Sequence, residues 1–247
     1  MPSNNETGHV KNMNNLENLI KICTEFGSKY NPSKPSLQLA NLAQLFTNAS
    51  AEITNVNQKL IDYNNTVHSR QLKFDNLRKV ATRIIYAMEI TDANDMTIEN
   101  AKSLKKKIYG VRIGKVAEAK PLTDGAAAPE KKLNSTAQTS FGQLVDHFSK
   151  LILIVQSEPT YNPNENDLKP TELTTFLNEL VTANTNALEA EAALRTARQK
   201  RNELFYTGDH NLIDSVVDAK KYVKSIFGLN TVEYKSLTSI QVRKPTR

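Results

Sequence analysis

Along residues 36–109 no Gly or Pro interrupts the chain, and apolar side chains return at alternating intervals of four and three. They are Leu42, Phe46, Ala49, Ile53, Val56, Leu60, Tyr63 and Val67, then Phe74, Leu77, Ala81, Ile84 and Met88. This spacing places one apolar stripe on a helix and predicts long helices packed side by side, as in a coiled coil. Only Arg70 breaks the stripe. A second stripe runs through Leu173, Phe176, Leu180, Ala183, Ala187, Ala190, Leu194 and Ala197, then Arg201 and Leu204. Ala at so many of its positions lets a neighbouring helix approach closely. Unbroken to Met88, the first helix would be on the order of 75 Å long. A kink is expected at Phe74-Asp75-Asn76, where Asp75 could cap a new helix.

The two stripes belong to a longer correspondence. Tyr30-Asn31-Pro32 returns as Tyr161-Asn162-Pro163, and in the same register Leu37 meets Leu168, Leu42 meets Leu173, Arg70 meets Arg201 and Phe74 meets Phe205. Farther on, residues 101–110 (AKSLKKKIYG) resemble residues 219–228 (AKKYVKSIFG) at a shorter offset, so the first copy holds 13 more residues between these anchors. A short amphipathic stretch precedes each Tyr-Asn-Pro, over 16–26 and 141–155. The same parts in the same order point to an internal duplication. Each Tyr-Asn-Pro could be a recognition loop; the simpler account is that it ends one helix and sets the entry of the next, because Pro disfavours the helical conformation in the residue before it. Turns are expected at 91–95 and 207–209, and the last helix of each copy should stop at Gly110 or Gly228, which tolerate the left-handed backbone past a helix end. Residues 234–242 (YKSLTSIQV) read as extended.

The expected organisation is therefore a disordered N-terminus over 1–12, a helical unit over 13–110, a flexible linker over 111–140 and a second helical unit with a basic tail over 141–247. The linker reading rests on Pro121, Gly125 and Pro129 around an Ala run, with Lys, Ser and Thr filling most of the remainder; such a segment buries too little apolar surface to order itself.

Composition narrows the class. Sparse punctuation (8 Gly and 9 Pro in 247 residues) argues against an all-β sandwich or barrel. The single cysteine, Cys23, excludes an internal disulfide and a Cys-based zinc cluster, and reads as a buried structural thiol. The first residues are polar and Asn-rich rather than leader-like. The longest apolar run, residues 151–155 (LILIV), is far short of the roughly 20 residues of a membrane span. A cytoplasmic protein is expected.

No catalytic constellation stands out. Four histidines are too few and too scattered for a ligand set; His210 with Asp214, and Asp146 with His147, lack the further ligands a metal site needs and read as surface residues. No nucleophile elbow or Gly-rich phosphate loop occurs, and the one Glu-x-x-His pair, Glu6 with His9, falls short of the two that a di-iron bundle needs. No enzyme activity, metal, cofactor or small-molecule substrate is expected.

The net charge is +6, and its surplus lies in residues 1–125, with 17 Lys/Arg against 12 Asp/Glu. The most basic stretch holds Lys102, Lys105, Lys106 and Lys107, with Arg112 beyond it. The second copy offers Lys220, Lys221 and Lys224, and the tail adds Arg243 and Lys244. Cations near a helix C-terminus favour the macrodipole and solvate an outer face, which is the simpler account. The alternative is a polyanion contact, for which the sequence offers no interleaved aromatics of the kind that stack on bases. Arg70 and Arg201 are candidates for a buried ion pair, since each stands where the stripe calls for an apolar side chain. The simpler account packs the stem and lets the guanidinium reach out at the bundle edge.

Taken together, residues 141–144 (FGQL), the Tyr-Asn-Pro loop, residues 221–228 (KYVKSIFG) and Glu233-Tyr234-Lys235 resemble a family of uncharacterised bacterial two-repeat helical proteins. The resemblance covers both copies and implies that the two-copy arrangement is general; it carries no activity, cofactor or binding residue. The expected fold is all-α, an elongated helical bundle of two internally repeated units with long coiled-coil-like helices. The expected function is non-enzymatic: an intracellular scaffold or interaction module whose long helical faces dock a protein partner or a second copy. The alternatives are a nucleic-acid or polyanion binder using the lysine-rich helix ends, and a membrane-active helical bundle.

Overall fold

A computed structural model describes residues 5–110 and 139–244. The fold is all-α, without a strand among the described residues. The helices are α1 (Asn5–Glu25), α2 (Leu39–Asp75), α3 (Leu77–Glu89), α4 (Asp95–Tyr109), α5 (Phe141–Ser157), α6 (Pro170–Asn202), α7 (Leu212–Phe227) and α8 (Val232–Ser236). Short 3-10 turns lead into both long helices, and a π-helix over Glu203–Thr207 follows α6.

The stripe of the long helices is buried in a strict seven-residue register: Leu42, Ala49 and Val56 on α2, and Leu173, Leu180, Ala187 and Leu194 on α6. The intervening positions Phe46, Ile53, Leu60 and Tyr63 are half-buried. A seven-residue repeat keeps one narrow face of an α-helix turned inward. The α2–α3 break falls at Asn76, as the pattern suggests, although Asp75 does not cap α3. Its carboxylate accepts from Gln71 Nε2 at 2.9 Å, one turn back on its own helix. No helix like α3 lies between α6 and α7, and the 13 residues by which the two expected copies differ equal the 13 residues of α3.

Both Tyr-Asn-Pro loops have the same local geometry. Tyr30 donates its hydroxyl to the Leu37 carbonyl at 2.9 Å, and Tyr161 to that of Leu168 at 3.0 Å. Both tyrosines are buried, and each holds a 3-10 turn against the start of the helix that follows. Burial pushes the Tyr161 hydroxyl up to about 12 and also raises that of Tyr30. The Cys23 thiol is buried beside Tyr30 and pushed up to about 12, as expected of a structural cysteine. Gly110 closes α4 with φ 74°, and a Cβ there would meet Thr139 Cγ2 at 2.8 Å, so both the backbone and the close approach call for Gly.

The compact units are not the segments 13–110 and 141–247. One unit joins residues 1–64 to 190–247, and the other holds 65–189. Each draws the leading part of one expected copy and the trailing part of the other. In the first, Leu16 and Leu19 of α1, Leu42 of α2, Phe205 and Tyr206 of the π-helix, and Val216 and Val223 of α7 share a core. In the second, Ile84 and Met88 of α3, Ile108 of α4, Phe148 and Leu151 of α5, and Leu173 of α6 do so. Within the apolar run 151–155, Leu151, Ile152 and Val155 are buried while Leu153 is exposed, so even this stretch turns one face outward.

The expectation of a disordered stretch over 1–12 fails for residues 5–12, which form the start of α1. The polar side chains that suggested disorder have partners distant in sequence. His9 Nδ1 lies 2.6 Å from the Tyr206 hydroxyl. Asn12 donates to the Arg243 carbonyl at 2.8 Å and accepts from the Arg243 N–H at 3.1 Å, and Asn15 donates to the Gln241 carbonyl at 2.7 Å. Two Asn side chains thus seat the C-terminal tail on α1. The segment 234–242 is not extended throughout, since α8 takes its first residues. Residues 111–138, most of the expected linker, lie outside the described residues.

Candidate functional site

The lysines that the sequence singles out end in different surroundings. Arg112 lies outside the described residues. Lys220 donates to the Ile240 carbonyl at 2.9 Å, and burial lowers its pKa; it ties down the C-terminal segment rather than facing a ligand. Lys221 shares the Asp218 carboxylate with Lys34, at 3.3 and 2.8 Å. Lys224, Arg243 and Lys244 are exposed, but Arg243 is held through its backbone by Asn12 and donates its guanidinium to Gln241 at 3.0 Å.

Lys107 turns toward α5, where it contributes to the field at His147. That histidine is buried, against the expectation of a surface residue, and neither ring nitrogen has a hydrogen-bond partner among the described residues. Asp146 approaches Nδ1 only to 3.6 Å. Burial, then the cations Lys107 and Lys150, lower its pKa, with Asp146 opposing. Protons therefore bind the unfolded chain more readily than the folded one. The contribution of His147 is complete above the ordinary histidine range, about 6.5, and declines as pH falls below it. Thermal melts at pH 7.5 and pH 5.5 should show a drop that His147→Leu reduces; an unchanged drop in the variant would clear His147 of the effect.

The remaining three, Lys102, Lys105 and Lys106, converge. Positions 102, 105, 106 and 109 lie along one face of α4, and 82, 86 and 89 along the facing side of α3. The two helices form a hairpin because Asn94 caps α4, accepting from the Met96 N–H at 2.8 Å after the turn. Between them runs an open groove of about 540 Å3, lined by Thr82, Tyr86, Glu89, Lys105, Lys106 and Tyr109 among others, with Ile85 as its apolar floor. Lys105 Nζ sits 5.6 Å from the Tyr86 ring centre and 5.8 Å from that of Tyr109, within cation–π reach of both. The Arg78 guanidinium approaches Tyr109 from the other helix, also at 5.8 Å. The Tyr109 hydroxyl donates to the Arg78 carbonyl at 3.2 Å and shares a 2.7 Å hydrogen bond with Thr82. Lys102 bridges Glu89 at 2.9 Å and Glu99 at 3.4 Å, and the bond to Glu89 is the main cause of its raised pKa. Lys106 is exposed and makes no ion pair among the described residues.

Sequence reasoning missed the aromatic half of this site. Tyr86 and Tyr109 are 61% and 40% exposed, in contrast to the buried Tyr30 and Tyr161. Only the antiparallel packing of α3 on α4 brings them to either side of one lysine.

Arg70 and Arg201 do not form the same arrangement. Arg70 is half-buried, donates to Asn184 Oδ1 at 3.2 Å and lies 4.1 Å above the Phe141 ring. An amide and a ring thus stand where the ion-pair reading would put a carboxylate, and no carboxylate pairs with it among the described residues. Arg201 is buried, 5% exposed, and gives Nε and Nη2 to Asn202 Oδ1 at 3.3 and 3.0 Å. Its guanidinium does not reach out to solvent. No group of three or more His, Cys, Asp or Glu among the described residues could hold a metal ion, and none of their helices is long and apolar enough to cross a membrane. Comparison of the chain with protein-family models, curated proteins and solved structures gave no match.

Proposed function

We propose that the chain is a non-enzymatic, cytoplasmic helical interaction protein whose α3–α4 face docks a polyanionic partner. The observation that carries this reading is the placement of Lys105 between two exposed tyrosine rings, with Lys106 beside it, in one groove. The long helices act as the frame. Their apolar seam is buried within the single chain, which leaves the hairpin face, rather than the seam, as the surface for a partner. Ile90 and Met96, 87% and 74% exposed at the bend of the hairpin, extend that surface with apolar contact area. No observed feature speaks for the membrane-active alternative.

Cations on an open face bind polyanions by releasing condensed counterions, so the affinity should fall steeply with salt. The test is titration of the chain with fluorescent heparin oligosaccharide and with labelled oligothymidylate, between 50 and 300 mM salt. The expected result is binding that weakens with salt, with the Lys105→Glu/Lys106→Glu variant weaker by about tenfold or more at low salt and less salt-dependent. Flat, negligible binding of both probes at the lowest salt would remove the reading.

A further inference from the structure

We infer that the polyanion taken by the α3–α4 face is a single-stranded nucleic acid, with bases stacked on Tyr86 and Tyr109 and neighbouring phosphates held by Lys105 and Lys106. The inference rests on the polyanion reading and adds the part that a purely electrostatic contact would not need. A stacking platform requires an exposed aromatic face in a fixed orientation beside cations. Tyr109 meets this because its hydroxyl is committed to Arg78 and Thr82, so the ring is oriented before any ligand arrives. Tyr86 stands across the groove with most of its surface open. The Lys105 ammonium lies over both rings in the free chain. A phosphate draws it aside, and the same movement uncovers ring area for a base.

The acidic residue of the groove does not oppose this. Glu89 is paired with Lys102 across the hairpin, so its charge is offset while Lys105 and Lys106 stay available. A duplex would keep its base faces stacked inside and leave the rings unused, whereas an unpaired strand offers them. An acidic peptide would satisfy the lysines but brings few flat π-surfaces to the two rings.

The experiment measures fluorescence anisotropy of the full-length chain at one low salt concentration with four probes. These are a labelled oligothymidylate, an abasic oligomer of the same length and charge, a DNA duplex and poly-glutamate. The expected result is tighter binding of oligothymidylate than of the abasic oligomer, by about five- to a hundredfold, the range that base–aromatic stacking supplies. Tyr86→Leu should shrink that preference, and Lys105→Glu should weaken binding of both oligomers. Tyr86 is exposed, so its replacement leaves the core intact. Equal binding of the base-bearing and abasic oligomers overturns the stacking inference and leaves the polyanion reading standing. Preference for the duplex or for poly-glutamate overturns it in favour of that partner. No binding of any probe defeats the underlying reading itself.

Discussion

Phe148→Ala should destabilise the chain by about 3–5 kcal/mol, the usual cost of removing a buried aromatic ring. Phe148 is fully buried on α5, and its ring stands edge-on to Phe176 with centres 5.6 Å apart. It fills the core that α3, α4, α5 and α6 share. The loss has two parts: the transfer free energy of the ring, and the cavity that surrounding helices cannot collapse to fill. Urea titration followed by helical circular dichroism checks this. A midpoint shift corresponding to less than about 1 kcal/mol would show that the ring is not packed as described.

Phe205→Ala should cost a similar ~3–5 kcal/mol in the other unit. Phe205 is fully buried in the π-helix that follows α6, with ring centres 5.8 Å from His9 and 5.7 Å from Tyr206. Loosening it also releases Tyr206, whose hydroxyl meets both His9 and Asn12 on α1. The damage should therefore spread to the seating of α1, and amide exchange along α1 should quicken in Phe205→Ala. Phe148→Ala, whose ring belongs to the other core, should leave α1 exchange far less changed. Equal acceleration of α1 in both variants would refute that separation.

What the sequence made legible follows from how far each signal reaches along the chain. The seven-residue register of Leu42, Ala49 and Val56, and of Leu173, Leu180 and Leu194, is local and periodic, so it predicted the buried faces correctly. Gly110 and the break near Asn76 are equally local. The start of α1 was illegible because its polar face, Asn12 and Asn15, is satisfied by backbone more than 200 positions away. No window of sequence shows that such side chains have partners. Arg201 follows the same logic: the pattern marked it as out of place, but its degree of burial depends on neighbours the pattern cannot name. The candidate site was half visible. The lysine spacing on α4 was plain, whereas Tyr86 joins it only through the α3–α4 turn.

The exchange of parts between the two compact units bears on how the chain can be taken apart. A cut between residues 110 and 139 would yield two pieces, each holding half of both cores and the whole of neither. Apart, they would have apolar surface with nothing to cover it; mixed, they would find their complement in one another. The chain is thus built from two halves that complete each other's cores, and a cut between them need not dissolve the partnership.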